Sequence, residues 1–360
     1  MKQLNTIMIA PSTSLKAAMV RLNEVSEKVL FVVDTHQKLL GSLTDGDIRR
    51  AIIQGTDFSE PVEKIMWPKP QFLVKNSPQI ALKAKAIMLT HDIEIVPVVD
   101  EHKSICEFLY WDDVVSGASS ASLALPTQQS TPVVIMAGGK GTRLDPLTKI
   151  LPKPLIPLGE KPMIEIIMNN FRKFGFHNFH LVLNYKKELI KAYFHEDQTE
   201  PLPNFIEETK FFGTAGGLRL LKDTLKETFF VTNCDIIINA DMAKIFEWHQ
   251  QEKALLTLVA SHHEMTIPYG LIECDAAGFQ KIIEKPTMDM IVNTGAYVLE
   301  PEVLDMIQPD EYLDMNNLIS RIAEKHGKEK ISVFPIYQSW FDMGQFKEYQ
   351  DTLKKLEEIS

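Results

Sequence analysis

Short apolar runs rich in β-branched residues alternate with amphipathic stretches through the first third of the chain. The same succession of helix, strand, strand and helix occurs twice, 66 residues apart, so that Val33-Asp34 returns as Val99-Asp100. A repeat of this length predicts two similar units that bury each other's apolar faces. The periodicity predicts helices at about 14–24 and 78–90 and strands at 29–34, 38–43, 93–99 and 104–110.

The pattern changes after residues 116–131, which carry no charged side chain and are rich in Ser, Ala and Thr. Such a composition is typical of a linker between domains. Beyond it, apolar runs alternate with helical stretches, which predicts an α/β fold with a doubly wound, mostly parallel sheet and helices on both faces. The predicted elements are strands at 132–137, 178–184, 203–207 and 228–232, helices at 163–174, 186–195 and 346–358, and a strand-rich region at 254–299.

These patterns divide the chain into three parts. We expect two α+β repeats over residues 1–117, a linker over 118–131, and a larger α/β domain over 132–360. The repeats themselves cover about 1–58 and 66–117. Because ligands of open α/β sheets bind at the carboxyl ends of the strands, those ends are where site residues are expected in the larger domain.

Composition narrows the class of protein. The 360 residues are 45% hydrophobic and 24% charged, as in an ordinary globular protein. No apolar run approaches the roughly 18 residues that span a bilayer, and the N-terminus lacks a signal-peptide pattern, so we expect a cytoplasmic protein with no membrane partner. The net charge of −10 argues against a nucleic-acid partner. Three widely spaced cysteines indicate neither a disulfide framework nor a zinc site.

Positive charge is concentrated in the loop that follows the first strand of the larger domain. Residues 136–162 read MAGGKGTRLDPLTKILPKPLIPLGEKP and hold five Lys or Arg residues against two acidic ones. The glycines let backbone N–H groups approach phosphate oxygens, and the prolines stiffen the loop. Lys140 is followed by Gly141, which excludes a Walker loop. Leu144 stands where a dinucleotide fingerprint needs its third glycine.

This loop resembles the motif GGxGTRLxPLTxxxPKPLxPxxxKP of the sugar nucleotidyltransferases, whose catalytic domain is Rossmann-like. The resemblance implies that Arg143 binds the β- and γ-phosphates and stabilises the departing pyrophosphate, and that Lys153 reaches the α-phosphate. Lys140 is equally well explained as a solvent-exposed lysine. The residues that the resemblance places along the nucleotide are Ala137, Gly138, Gly139 and Lys140.

A second glycine-rich segment, FGTAGGL at residues 212–218, resembles the base-recognition loop of the same family. Its small residues would let a nucleobase lie against the backbone, although a turn and a helix start would also explain the glycines. Either Glu207 or Glu208, shortly before it, is a further candidate for a nucleotide contact. The residues assigned to the nucleotide here are Gly213, Thr214, Ala215 and Gly216.

Two aspartates are candidate metal ligands. Asp235 follows an apolar strand, and Asp342 lies in Trp340-Phe341-Asp342-Met343-Gly344, which resembles the W-x-D-x-G motif of the family. Mg²⁺ prefers carboxylate oxygens together with substrate phosphates. The resemblance therefore implies Mg²⁺ as the cofactor and Asp235 as a catalytic residue beside Arg143 and Lys153.

Three further segments match the family in the expected order: PYGLIE at 268–273, EKP at 284–286 and NTGAY at 293–297. They resemble the segments that hold the sugar phosphate. The resemblance implies that a glycine lets the sugar approach, a glutamate takes sugar hydroxyls and a lysine takes the phosphate. The residues concerned are Gly270, Glu284, Lys285, Asn293 and Thr294.

Taken over the whole motif set, the resemblance implies transfer of a nucleoside monophosphate from an NTP to a sugar 1-phosphate, with release of pyrophosphate. The loops favour GTP, with UTP as the alternative, and members with this domain order resemble enzymes of surface-glycan or nonulosonic-acid biosynthesis. The sequence does not identify the sugar. A rival hypothesis is an inactive nucleotide sensor, which would fit loss of the charged residues; all four, Arg143, Lys153, Asp235 and Asp342, are present.

The N-terminal repeat resembles a pair of CBS domains, most clearly at LGSLTDGD, residues 40–47. The resemblance implies that Thr44 and Asp47 hold the phosphate and ribose of an adenine nucleotide. The second repeat departs from the pattern at Glu107 and Tyr110, which puts its site in doubt. The alternative is that the pair only packs and dimerises, with Asp47 and Asp113 capping the helices that follow. In either case we expect a homo-oligomer.

Overall fold

The computed structural model describes residues 6–25, 28–53, 55–77, 80–91, 93–115, 129–196, 201–275, 278–336, 340–344 and 349. The chain divides into two compact units, Met1–Ser120 and Ala121–Ser360. Within the described ranges, no helix is both long enough and apolar enough to cross a lipid bilayer.

The first unit contains two copies of one α+β arrangement. In each copy three strands form a sheet in which the first two strands are parallel and the last two antiparallel. The first copy consists of β1 (Met8–Ile9), α1 (Leu15–Glu24), β2 (Val29–Val33), β3 (Leu39–Thr44) and α2 (Asp45–Ile53). The second consists of β4 (Leu73–Val74), α3 (Ile80–His91), β5 (Ile95–Val99), β6 (Ile105–Tyr110) and α4 (Trp111–Val115).

The two copies agree down to their turns. Asp34 accepts hydrogen bonds from the backbone N–H groups two and four residues further on, at 2.8 and 2.9 Å, and Asp100 does the same in the second copy. Phe31 stacks on Phe108 with ring centroids 5.1 Å apart, inside a core to which both copies contribute. The sequence repeat is therefore a structural repeat.

The second unit is an α/β domain. Its strands are β7 (Gln129–Ala137), β8 (Pro157–Leu158), β9 (Lys161–Pro162), β10 (Phe176–Leu183), β11 (Asn204–Glu207), β12 (Phe229–Asn233), β13 (Ile236–Ile238), β14 (Leu256–Thr266), β15 (Leu271–Asp275), β16 (Gly278–Ile283), β17 (Thr287–Leu299), β18 (Ile331–Ile336) and β19 (Trp340–Asp342). Its helices are α5 (Leu147–Ile150), α6 (Met163–Arg172), α7 (Lys187–Glu196), α8 (Gly213–Gly216), α9 (Met242–Glu252) and α10 (Met315–His326).

Seven of these strands form one sheet in the order β11-β10-β7-β12-β17-β14-β18. Every neighbouring pair is parallel except the two that involve β17. The inner strand β7 is covered on both faces, since Val133, Val134 and Ile135 are fully buried, as expected of an inner parallel strand. The predicted doubly wound, mostly parallel sheet is confirmed.

One predicted boundary is wrong. Strand β7 begins at Gln129, so residues 129–131 belong to the sheet and not to the linker. Gln129 pairs with Phe176, and Thr131 is buried. Residues 129–131 are Gln, Ser and Thr, so a prediction based on hydrophobic residues did not include them in the strand. The rest of the linker and the helix predicted over 346–358, apart from Tyr349, lie outside the described residues.

Candidate active site

The basic loop leaves the carboxyl end of β7, between the ends of β10 and β12. Ala137 and Gly138 are buried there, whereas Gly139 and Lys140 are exposed. A Cβ atom on Gly138 would lie 2.5 Å from Oε2 of Glu208 and 3.2 Å from Cβ of Asn184. Glycine is therefore needed at this position to make room for a neighbouring acidic side chain.

The loop is folded back on itself by polar contacts. Gly141 has a left-handed conformation, with φ of +66°. The hydroxyl of Thr148, a residue only 1% exposed, lies 2.6 Å from Oδ1 of Asp145 and 3.1 Å from the carbonyl oxygen of Gly141. These contacts close the segment that carries Arg143, whose side chain is exposed.

Two carboxylates converge at the end of β12. Asp235 follows β12 directly, and the antiparallel pairing of β13 with β19 places Ile236 opposite Asp342. The backbone N–H of Gly344 donates to Oδ1 of Asp342 at 2.7 Å. A Cβ on Gly344 would lie 2.8 Å from that oxygen and 3.2 Å from Oδ2 of Asp235. The two predicted metal ligands are thus brought together around one glycine.

Lys153 lies beside these two carboxylates, and we call Lys153, Asp235 and Asp342 together the acidic cluster. Its ammonium forms an ion pair with Oδ2 of Asp235, and the two side chains are only 15% and 13% exposed. Burial acts to lower the pKa of Lys153, but the charges of Asp235 and Asp342 raise that pKa above its ordinary value. Burial and the charge of Asp235 raise the pKa of Asp342, and the hydrogen bond from Gly344 together with the charges of Lys153 and Arg143 offsets part of this rise.

The residues present suit Mg²⁺ better than a metal that needs a closed cage of protein ligands. Mg²⁺ is commonly held by one or two carboxylates together with water and substrate phosphates. Asp235 and Asp342 offer two carboxylates. Besides burial, the negative charge of Asp235 raises the pKa of Asp342, so a divalent cation would relieve the repulsion between the two side chains. The part of the chain that the structure describes holds no cluster of three or more His, Cys, Asp or Glu residues suited to a metal ion.

The predicted base loop is glycine-rich for a reason that the sequence did not show. A Cβ on Gly213 would lie 2.5 Å from the carbonyl oxygen of Leu313, and one on Gly216 would lie 2.5 Å from that of Glu311. The hydroxyl of Thr214 accepts a hydrogen bond from the N–H of Met315 at 2.8 Å and so caps α10. These residues are small because α8 packs directly against the chain before α10. Their nucleotide contacts, like that of Ala215, stay a prediction.

The structure separates the two glutamates that precede this loop. Glu207 is exposed and forms ion pairs with Lys187 and Lys191, which hold its pKa at about 2. Glu208 is only 4% exposed, and burial raises its pKa to about 7. Its Oε1 atom is buried without a hydrogen-bond partner and would be 2.5 Å from a Cβ on Gly217.

Glu208 therefore lies between the two glycine-rich segments, with Gly138 on one side and Gly217 on the other. Sequence reasoning included Gly217 in the loop 212–218 without assigning it a contact, and it missed Asn184. The position of Asn184 immediately after β10, at a strand's carboxyl end, was the signal that could have indicated it.

The predicted sugar-phosphate residues fall into two groups. Glu284 and Lys285 are exposed beyond the β15–β16 hairpin, and Oε2 of Glu284 lies 3.1 Å from where a Cβ on Gly270 would be. Asn293 donates a hydrogen bond to the hydroxyl of Tyr297 at 2.8 Å, and the buried Thr294 donates to the carbonyl of Val259 at 2.7 Å. The hydroxyl of Thr294 is therefore engaged within β14 and β17.

The second group also lies close to the acidic cluster. A Cβ on Gly295 would meet the side-chain amide of Asn233 at 2.7 Å, and Asn233 stands two residues before Asp235. The structure thus joins 293–295 to the carboxyl end of β12. It places Gly270 and Glu284 together on the hairpin.

In the first unit, Thr44 and Asp47 bond to each other. The hydroxyl and the N–H of Thr44 both donate to Oδ2 of Asp47, at 2.7 and 2.8 Å, and the N–H of Asp47 lies 3.2 Å from the Thr44 hydroxyl. Arg50 donates to the other carboxylate oxygen at 2.7 Å. This is the arrangement of a helix cap at the start of α2. An adenine-nucleotide contact at these residues stays a prediction.

The doubly wound sheet, the basic glycine-rich loop at its switch point and the carboxylate pair beside Lys153 define an open α/β domain with a candidate ligand site at the strand ends. The sequence model of the Nucleotidyl transferase family matches residues 132–359, and that of the CBS domain matches residues 2–54, within the first repeat. The chain belongs to the Nucleotidyl transferase family and carries a CBS domain at its N-terminus, which confirms the resemblance seen in the sequence.

Individual relatives cover the same region. Mannose-1-phosphate guanyltransferase of Yarrowia lipolytica is 33% identical over 227 residues, 60% of this chain and 61% of its own length. UTP--glucose-1-phosphate uridylyltransferase of Synechocystis is 28% identical over 249 residues, 61% of this chain and 62% of its own length. The chain thus spans about six-tenths of the length of these curated relatives.

A solved structure, titled a putative glucose-1-phosphate thymidylyltransferase from Bacillus anthracis in complex with a sucrose, aligns with a TM-score of 0.51. It is 18% identical and covers 64% of this chain and 97% of the other. This likeness supports the fold of the second unit.

Proposed function

We propose that the chain transfers a nucleoside monophosphate from a nucleoside triphosphate to a sugar 1-phosphate and releases pyrophosphate. The observation that carries the proposal is the cluster of Lys153, Asp235 and Asp342 at the strand ends beside the glycine-rich loop. Relatives named as guanylyl- and uridylyltransferases of sugar 1-phosphates support the same reaction class.

The charges suit a reaction between two anions. An oxygen of the sugar phosphate forms a bond to the α-phosphorus, and the bond from that phosphorus to the oxygen bridging to the β-phosphorus breaks. The attacking phosphate is already ionised, so no general base is required. In this proposal Arg143, whose side chain is exposed, receives the β- and γ-phosphates and Lys153 receives the α-phosphate, so that fixed positive charge offsets the charge of the transition state. Mg²⁺ held by Asp235 and Asp342 would supply further neutralisation.

The position of Glu208 favours GTP as the donor. Guanine presents two adjacent donors, N1–H and N2–H₂, to a single carboxylate, whereas uracil presents one N–H between two carbonyl oxygens. Glu208 lies against both glycine-rich segments, and a hydrogen bond from a base to a carboxylate is charge-assisted and therefore strong. The uridylyltransferase among the relatives keeps UTP as the alternative donor. The acceptor is a sugar 1-phosphate, and the product would serve surface-glycan or nonulosonic-acid biosynthesis.

The test is a pyrophosphate-release assay of five nucleoside triphosphates against a panel of sugar 1-phosphates, with and without EDTA. We expect GTP to exceed UTP by about tenfold or more in kcat/KM, and activity to vanish with EDTA and return with Mg²⁺ or Mn²⁺. Glu208→Gln should narrow the preference for GTP, and Glu207→Gln should leave it unchanged. Release of no pyrophosphate from any pair would contradict the reaction, and an equal or greater rate with UTP would contradict the choice of base.

A further inference from the structure

Lys186 lies outside every motif and yet contacts the basic loop at residues 148–150. It follows β10 in a left-handed conformation, with φ of +51°. Its ammonium nitrogen lies 3.3, 2.6 and 2.8 Å from the carbonyl oxygens of Thr148, Lys149 and Ile150. These three consecutive carbonyls belong to α5, and the last carbonyls of a helix have no partner within the helix. One side chain, three residues beyond the end of β10, thus holds the end of α5.

The clamped helix occupies the middle of the loop, between Arg143 and Lys153. Its first clamped residue, Thr148, is the one whose hydroxyl contacts Asp145 and Gly141. A Cβ on Gly141 would lie 3.0 Å from Cβ of Lys153, so the two ends of the loop touch. A continuous series of contacts therefore links Lys186 through Thr148 to the two turns that carry Arg143 and Lys153.

A lysine suits this position because of its chemistry. An ammonium group donates three hydrogen bonds and accepts none, and here three carbonyl oxygens surround it. Tyr185 supports the same point, since its hydroxyl lies 3.4 Å from the carbonyl oxygen of Thr148 and its ring lies 5.3 Å from the Lys186 ammonium. With its donors directed at the loop, Lys186 is not arranged to bind a phosphate itself.

We propose that Lys186 is a positioning residue for nucleotidyl transfer, which fixes the loop so that Arg143 and Lys153 are preorganised for the triphosphate. A loop held in its productive geometry loses little conformational freedom when the nucleotide binds. This inference rests on the proposed function, since it assigns the loop to a triphosphate. The clamp itself is a property of the free protein and can be measured without turnover.

The experiment compares three variants of the full chain. Lys186→Met keeps the length of the side chain but removes its donors, and Lys186→Arg keeps a cationic donor. Lys187→Met is the matched control, because the neighbouring lysine pairs with Glu207 instead. Hydrogen exchange of residues 141–153 in the free protein, steady-state kinetics and thermal unfolding are measured for each.

We expect Lys186→Met to accelerate exchange in 141–153 and leave exchange in α9 unchanged. It should lower kcat/KM for the triphosphate about ten- to a hundredfold, with KM for the sugar phosphate little changed. Lys186→Arg should recover most of both effects, and Lys187→Met should show neither. Unchanged exchange in Lys186→Met, or equal effects in the control, would overturn the proposal. If no substrate pair reacts in the wild-type protein, the proposed function fails while the exchange result still decides whether the clamp exists.

Discussion

Replacing Glu208 by glutamine removes a carboxylate that folding buries, and its effect on stability can be calculated in sign and size. An exposed glutamate titrates near 4.5, whereas burial raises the pKa of Glu208 to about 7 in the folded chain. Between these two values the folded chain holds a proton that the unfolded chain has released. The free energy of unfolding therefore falls as the pH rises from about 4.5 to about 7, and it stays lowered above that range.

The size of the effect follows from the same two values. Each pH unit in this window costs about 1.4 kcal/mol, so a difference of about 2.5 corresponds to about 3 kcal/mol. Glutamine stays neutral at every pH. The variant should therefore be more stable than the wild type at pH 8.5, by up to about 3 kcal/mol, and should lose this advantage near pH 4.5.

Differential scanning calorimetry of the full chain at pH 5.0 and pH 8.5 is the assay, and the quantity that matters is the difference between variant and wild type at the two pH values. Glu207→Gln is the control, because Lys187 and Lys191 hold the pKa of Glu207 at about 2. That carboxylate adds stability above pH 4.5 which is lost as the pH falls toward 2, so its removal has the opposite sign. A constant difference between Glu208→Gln and wild type across pH would refute the calculation.

Two further predictions concern the other charged sites. Arg143→Ala and Lys153→Ala should each lower turnover on the order of a hundredfold in the pyrophosphate-release assay, since each removes a group that stabilises charge, and near-native rates in both would contradict the site. In the first unit, calorimetric titration of the full chain with AMP and ATP should show an adenine nucleotide binding to the wild type and not to Asp47→Ala. Equal binding by Asp47→Ala, or no binding at all, would leave Thr44 and Asp47 as a helix cap in a pair that packs and dimerises.

Local patterns predicted the elements well where burial follows the hydrophobic sequence. The apolar run at 132–137 forms most of the inner strand β7, and the repeated Val-Asp step forms two equivalent turns. Such local patterns could not predict contacts between residues that are far apart in the sequence. The pairing of β13 with β19 brings Asp342 to Asp235, and periodicity in one segment carries no information about the other.

Burial of charge was equally hidden from the sequence. Glu207 and Glu208 are adjacent and chemically identical, yet one is exposed beside two lysines and the other is enclosed by two glycines. Lys186 and Lys187 differ in the same way, since one holds a helix end and the other a surface carboxylate. In each pair the side chains leave the backbone in different directions, and what lies on each side depends on distant parts of the fold.

The glycines around the site give one physical reason for the family motif. At Gly138 and Gly217 a Cβ would lie 2.5 Å from an oxygen of Glu208, and at Gly344 it would lie 2.8 Å from one of Asp342. Protein atoms essentially never approach a Cβ so closely, so alanine at these positions would push the carboxylates aside. Because glycine has no side chain, these positions leave room for carboxylates of the protein itself, before any ligand is considered. A substitution there would disturb the nucleotide through the displaced carboxylate, even if the substituted residue itself never touched the ligand.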